Sequence, residues 1–117
     1  MNLTKAYWCL GSNINPQQHI GFAVSRFQQD FSGVVASKLY RCPAVGFAGE
    51  DFLNMVLATE TDRNLAELLE YGAQLEQLAG RVRVKRGRFD SRTLDVDLLM
   101  FGSLQGVHEG REWPSHD

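Results

Sequence analysis

The order of the apolar patterns limits the folds that this chain of 117 residues can adopt. Two segments carry apolar residues at helical spacing, which predicts amphipathic helices: 16–31 and 64–80. Four runs are rich in β-branched, aromatic or aliphatic residues, which predicts strands: 6–10, 34–42, 52–61 and 91–102. The predicted order along the chain is therefore β-α-β-β-α-β.

The residues at the ends of the two predicted helices support this division. Asn15 followed by Pro16 is typical of a helix start, with the asparagine as N-cap. Asn64 and Glu67 have the spacing of a capping box, and Gly80 is typical of the residue at which a helix ends.

The β-α-β-β-α-β order is typical of the split βαβ, ferredoxin-like arrangement. We expect an α+β fold in which one antiparallel sheet carries both helices on one face. The opposite face is then left for solvent or for a ligand. The length predicts a single domain over residues 1–117.

Composition and charge argue against several classes of protein. The net charge of −2 provides no general attraction for nucleic acid. No apolar run approaches the roughly 18–20 residues of a membrane span, and the N-terminus lacks the features of a signal peptide. We therefore expect a cytoplasmic protein without a membrane or nucleic-acid partner. Cys9 and Cys42 have no metal-site or CxxC spacing, which favours core or near-core thiols.

Two aspartates interrupt the apolar run of the last predicted strand. Asp95 and Asp97 are two residues apart, so their side chains point to the same face. Their Cα atoms would lie roughly 6.6 Å apart, and two charges at that distance repel by about 2–3 kcal/mol at an effective dielectric near 20. A divalent cation would offset this repulsion, and Mg²⁺ prefers one or two carboxylates together with phosphate oxygens. The alternative is that the carboxylates pair with Arg81 or Arg92.

A basic segment precedes the aspartates and holds six of the twelve lysines and arginines. These residues are Arg81, Arg83, Lys85, Arg86, Arg88 and Arg92. Cations next to a metal-binding carboxylate pair are typical of phosphoryl transfer, in which positioning and charge stabilisation provide most of the catalysis. The alternative is a solvated charged loop. Neither a P-loop nor a GxGxxG motif is present.

Three further residues are candidates for ligand contacts. Glu76 lies on the same helical face as Leu69, where it can be a surface residue, orient an arginine or accept hydrogen bonds from a ribose. Phe52 and Asn54 alternate on one strand face. Packing explains the phenylalanine, but an aromatic ring beside an amide is also a common way to hold a planar heterocycle.

Five motifs resemble, in order and spacing, the 6-hydroxymethyl-7,8-dihydropterin pyrophosphokinase family of folate biosynthesis. They are LGSN (10–13), YRCPAVG (40–46), FLNMV (52–56), GRVR (80–83) and SRTLDVDLLMFG (91–102). The resemblance implies that ATP donates its pyrophosphoryl group to the hydroxymethyl group of the pterin and leaves as AMP. It also implies two Mg²⁺ ions between the aspartates and the ATP phosphates. We expect the protein to be a monomer.

The resemblance assigns an expected role to each matching position. The implied catalytic residues are Arg81, Arg83, Arg92, Asp95 and Asp97, with the two aspartates as metal ligands. The implied nucleotide-binding residues are Leu69, Glu76, Arg81, Arg83, Lys85, Arg88, Arg92 and His116. The implied pterin-binding residues are Cys42, Pro43, Val45, Phe52, Asn54 and Phe89, over a floor made by Gly11, Ser12 and Asn13.

The chain departs from the family pattern at three places. Ala73 replaces a common glutamine, and Phe89 replaces the usual tryptophan of the basic segment. The family continues past the PSHD end with another basic residue, an aromatic, a strand and a helix, so we expect a chain truncated at its C-terminus.

Two alternatives to an active pyrophosphokinase therefore stay open. One is a non-catalytic remnant that binds nucleotide or pterin. The other is a ferredoxin-like RNA-binding module, which the negative net charge and the lack of paired aromatics on the strands disfavour.

Overall fold

Two helices and a central antiparallel sheet make up most of the part of the protein that the structure, a computed structural model, describes: residues 2–43, 51–80 and 94–115. The elements are β1 (Thr4–Ser12), α1 (Pro16–Asp30), β2 (Ser32–Ala36), β3 (Tyr40–Cys42), β4 (Phe52–Thr61), α2 (Leu65–Leu78), β5 (Asp95–Phe101), β6 (Gly106–His108) and β7 (Arg111–Trp113). Neither helix in these ranges is long and apolar enough to cross a membrane.

The strands of the main sheet lie in the order β2-β4-β1-β5, and each neighbouring pair is antiparallel. The short strand β3 also pairs with β4. Each helix connects two strands that are not neighbours in the sheet, which is the pattern of a ferredoxin-like fold. The predicted α+β class and antiparallel sheet are therefore confirmed.

The predicted strand over 34–42 is wrong in one respect, because it is two strands. β2 and β3 both pair with β4 but are separated at Ser37. The N–H of Ser37 donates to the carbonyl of Val56, and the Ser37 hydroxyl accepts a hydrogen bond from the Val56 N–H, at 2.9 Å each. The serine side chain thus replaces a backbone partner, which ends the regular ladder.

The two helix starts differ from each other. Asn64 and Glu67 form the predicted capping box, with each side chain accepting a hydrogen bond from the other residue's backbone N–H at 2.9 Å. Asn15 occupies the N-cap position of α1, as predicted, but its side chain makes no capping hydrogen bond. Its backbone is left-handed (φ 44°, ψ 54°), whereas a capping residue needs an extended backbone to aim its side chain at the helix. Pro16 does occupy the first turn.

One face of the sheet forms the core, and both helices pack on it. Alternate residues of β1 on this face are fully buried, and the indole of Trp8 packs edge-on against Phe27 of α1 and Tyr71 of α2. The ring centroids of Trp8 and Phe27 lie 5.0 Å apart. The indole Nε1 donates to the Thr59 hydroxyl, which donates in turn to the carbonyl of Ala6. The predicted placement of both helices on one face is confirmed.

A second, two-stranded sheet follows β5 and is absent from the sequence prediction. β6 and β7 pair around Glu109 and Gly110, which both have positive φ (53° and 71°), as a two-residue hairpin turn requires. Trp113 of β7 is 2% exposed and donates through Nε1 to the carbonyl of His108 at 2.9 Å. A glutamate at a left-handed position carries little turn signal, which explains why the pattern was missed.

The buried Trp8–Thr59 hydrogen bond gives a test of the core. Thr59→Val keeps the side-chain shape but leaves the indole N–H without its partner, so we expect the free energy of unfolding to fall by about 1–3 kcal/mol. The control Thr59→Ser keeps the hydroxyl and loses one methyl group, which should cost about 1 kcal/mol or less. Urea unfolding measures both, and a greater loss for Thr59→Ser would contradict this role.

Candidate active site

The two aspartates of β5 lie on the face of the sheet opposite the helices. Val96 and Leu98 are 7% and 1% exposed and belong to the core under the helices. Asp95 and Asp97 alternate with them and are half-buried, so both carboxylates point to the opposite, helix-free face. In the β1–β5 register Asp95 lies opposite Gly11, and Asp97 lies opposite Cys9. The spacing of the two aspartates therefore has the consequence expected from the sequence.

Asn54 of β4 lies on the same helix-free face. It is opposite Gly11 in β1 and opposite Tyr40 in β3. A Cβ atom on Gly11 would lie 2.8 Å from the Asn54 Oδ1 atom, closer than real Cβ contacts allow. The glycine thus makes room for the amide to lie across β1. Phe52, two residues before Asn54, is opposite Cys42 in β3, so these two candidates share a face with the asparagine.

The thiol of Cys9 in β1 interacts with Asp97 of β5 and with Tyr40 of β3. Burial raises the pKa of its thiol above the ordinary value, and the negative charge of Asp97 raises it further. A hydrogen bond with the Tyr40 side chain acts in the opposite direction on this pKa, while Cys42 and Asp95 make smaller contributions that raise it. The thiol is therefore held neutral near the carboxylates. Cys9 and Tyr40 were not among the predicted site residues, because an apolar strand context gives no sign of which face they occupy.

Both cysteines are free and half-buried, as near-core thiols were predicted to be.

The residues implied to form the floor of the pocket do not all lie on the same face of β1. Ser12 alternates with Gly11, is fully buried, and donates through Oγ to the carbonyl of Ile14. Asn13 is also buried and lines a polar cavity of about 560 Å³ with Leu53 and the Arg41–Asp51 ion pair. Ser12 therefore supports the turn and does not share the face of Gly11.

Glu76 and Leu69 of α2 lie beside the outer edge of β5, at a cavity that Asp97 also lines. Both line this cavity of about 260 Å³ together with Arg111 of β7. The Glu76 Oε2 atom accepts a hydrogen bond from the Val96 N–H at 2.8 Å. The sequence gives no sign of Arg111, because this residue reaches the cavity only through the β6–β7 hairpin, which was not predicted. Its guanidinium carbon lies 5.6 Å from the centroid of the Trp113 ring.

Eight predicted site residues lie outside the described ranges of the chain. They are Val45, Arg81, Arg83, Lys85, Arg88, Phe89, Arg92 and His116. Of the remaining predicted contacts, Cys42 is half-buried and Pro43 is exposed, at the end of β3.

The donor atoms on the helix-free face suit a hard divalent cation. Within residues 2–43, 51–80 and 94–115, no group of three or more His, Cys, Asp or Glu side chains is arranged to hold a metal ion. Asp95 and Asp97 are two carboxylates on one face of β5. That number matches Mg²⁺, which is bound through one or two carboxylates and completes its shell with water and substrate phosphates.

Comparison with known families gives one match that spans most of the chain. The model of the 7,8-dihydro-6-hydroxymethylpterin-pyrophosphokinase family matches residues 7–114. This range includes most of β1, both helices, and the strands that carry Asn54, Asp95 and Asp97.

Three curated proteins, each named 2-amino-4-hydroxy-6-hydroxymethyldihydropteridine pyrophosphokinase, are similar to this chain. The protein from Haemophilus influenzae is 33% identical, over 96% of this chain and 71% of its own length. The protein from Bacillus subtilis is 37% identical, over 82% of this chain and 59% of its own length. The protein from Pseudomonas aeruginosa is 35% identical, over 86% and 63% respectively.

The matched region thus covers less than two thirds of the length of two of these relatives. The family model and the curated relatives carry the name of the same pyrophosphokinase, so the two comparisons agree. The chain belongs to the 7,8-dihydro-6-hydroxymethylpterin-pyrophosphokinase family.

Proposed function

We propose that this protein transfers the pyrophosphoryl group of ATP to 6-hydroxymethyl-7,8-dihydropterin in folate biosynthesis. The observation that carries the proposal is the carboxylate pair of Asp95 and Asp97, side by side on the helix-free face, in a chain that belongs to this family. In the proposed reaction the hydroxymethyl oxygen attacks the β-phosphorus of ATP. The bond between that phosphorus and the bridging oxygen of AMP breaks, AMP leaves with the electron pair, and the hydroxyl proton passes to solvent.

Asp95 and Asp97 are the proposed ligands of Mg²⁺, with two ions bound together with ATP. The bound ions would neutralise charge on the phosphates as the bond to AMP breaks. The two carboxylates supply negative charge at one place on a half-buried strand face, which favours a divalent cation there. The neutral thiol of Cys9 beside Asp97 adds no competing anion.

The pterin side of the proposed site uses residues of three strands. Asn54 presents an amide that can pair with the donor and acceptor edge of a pterin, and Phe52 and Cys42 lie on the same face. A planar heterocycle needs such a flat, half-apolar surface with a few polar groups for orientation. Gly11 contributes by leaving space for the Asn54 amide.

ATP is the proposed co-substrate, and its binding residues are divided between two places. Leu69 and Arg111 both line the cavity next to β5 and can contact the nucleoside. The proposed phosphate contacts are the cations of segment 81–92, which carry the charge needed to hold a triphosphate. We also propose that the protein is active as a monomer.

Replacing the carboxylates tests the proposed reaction. With ATP, Mg²⁺ and 6-hydroxymethyl-7,8-dihydropterin, we expect the protein to release AMP, and Asp95→Asn or Asp97→Asn to lower the rate by about 100-fold or more. The control is Asp62→Asn, which removes the same charge from an exposed position at the end of β4. AMP release is measured by chromatography.

The outcome of this assay separates the alternatives. An equal rate from the protein with both aspartates replaced would contradict the metal assignment. Pterin or ATP-analogue binding by calorimetry, without AMP release from the unaltered chain, would indicate a binding remnant in place of an enzyme.

Replacing Gly11 tests the pterin side of the proposed site. Gly11→Ala places a Cβ atom against the Asn54 amide, so we expect the affinity for oxidised 6-hydroxymethylpterin, measured by calorimetry, to fall about 10-fold, or about 1.4 kcal/mol. The matched control is Gly21→Ala on α1, where nothing lies within 4 Å of the added atom. It should leave affinity unchanged and stabilise the protein by about 0.5–1 kcal/mol. Unchanged affinity in Gly11→Ala would remove Asn54 from the pterin site.

A further inference from the structure

Val96 lies between the two carboxylates and is held by α2. β5 is at the edge of the described sheet, beside β1 only. The Val96 N–H donates to the Glu76 Oε2 atom at 2.8 Å. A side chain of the helix thus takes the place that a further strand would occupy at this position of the edge.

The same residue contacts α2 a second time, one helical turn earlier. Gly72 precedes Glu76 by four residues, so both lie on one face of the helix. A Cβ atom on Gly72 would lie 3.3 Å from the Val96 carbonyl oxygen and 3.4 Å from its Cγ1 atom. The glycine lets the helix backbone approach the strand closely enough for the Glu76 side chain to reach the Val96 N–H.

The hydrogen bond between Glu76 and Val96 lies close to the beginning of β5. Asp95 is the first residue of β5, and the ends of elements open more readily than their centres. Both aspartates also carry negative charge on the same face. Fixing the peptide between them restricts the motion of the backbone that carries both carboxylates.

We infer that Glu76 is a positioning residue, which holds the Val96 peptide so that Asp95 and Asp97 present their carboxylates together to a divalent cation. The inference rests on the proposed function, because it assumes that the aspartates bind the metal. It differs from the nucleotide contact expected from the sequence, in which Glu76 would act on ATP directly. Hydrogen bonds made directly to metal ligands typically change metal affinity by about 10–100-fold when removed. We expect a bond to the peptide between two ligands to act at the lower end of this range.

Two substitutions distinguish the effect of the length of the Glu76 side chain from the effect of its charge. Glu76→Gln keeps an oxygen at the same distance and loses the charge, whereas Glu76→Asp keeps the charge and is too short to reach the Val96 N–H. We expect the Val96 amide of the ligand-free protein to exchange with deuterium at least about 10-fold faster in Glu76→Asp than in the unaltered protein. In Glu76→Gln the rate should stay within about 3-fold of that in the unaltered protein. NMR measures this exchange, with the core amides of Trp8 and Leu10 as internal references.

Metal binding provides the second measurement. Mn²⁺ affinity, followed by electron paramagnetic resonance with an ATP analogue whose α,β-bridge is methylene, should fall about 10-fold in Glu76→Asp and stay near the original value in Glu76→Gln. Glu70→Asp and Glu70→Gln, at an exposed position of the same helix, are the matched controls and should change neither measurement.

The results distinguish this inference from the proposed reaction. Slower or unchanged Val96 exchange in Glu76→Asp would overturn the inference, as would faster exchange with unaltered Mn²⁺ affinity. Greater loss in Glu76→Gln than in Glu76→Asp would also overturn it, because charge and not reach would then matter. The exchange measurement needs no substrate. Its result therefore tests the role of Glu76 even if the unaltered chain releases no AMP.

Discussion

The pleat of β1 places the core and the candidate site on opposite sides of one strand. β1 lies between β4 and β5, and successive side chains of a strand point to opposite faces. Trp8 therefore enters the helix layer, while Cys9 and Gly11 lie under the carboxylates and the Asn54 amide. A slip of one residue in register would exchange the two sets, burying polar groups in the core. The packing of the aromatic core thus stabilises the same register that assembles the site.

The site forms where several strand ends meet. β1 and β3 end near the points at which β4 and β5 begin, so Cys42, Phe52 and Asp95 come from strand termini. Strand ends have fewer ladder hydrogen bonds than strand centres, and they are more exposed to substrate. At the outer edge of β5, contacts from α2 to Val96 make up for the missing ladder hydrogen bonds. The helix backbone approaches Val96 at Gly72, and the Glu76 side chain accepts a hydrogen bond from the Val96 N–H. The helices therefore contribute to the site without carrying its carboxylates.

Much of the architecture follows from local patterns. The helix over 16–31, the capping box at Asn64 and the strand over 52–61 could be predicted because each depends on residues close in the chain. The division between β2 and β3 could not, because the Ser37 hydroxyl is satisfied by Val56, nineteen positions away. The β6–β7 hairpin was missed since its turn uses Glu109 at positive φ, where a glycine or asparagine is the usual signal.

The sequence by itself determined that Asp95 and Asp97 share a face, because a strand has a period of two, and its motifs indicated the family. It also predicted the order of the two helices and the long strands, but not the division between β2 and β3 or the β6–β7 hairpin. Only the tertiary structure decided which groups meet those carboxylates: Cys9 and Gly11 across the sheet, and Glu76 through the Val96 peptide. The physical reason is that register between strands, and the distance at which a helix packs on a sheet edge, depend on contacts between residues far apart in the chain.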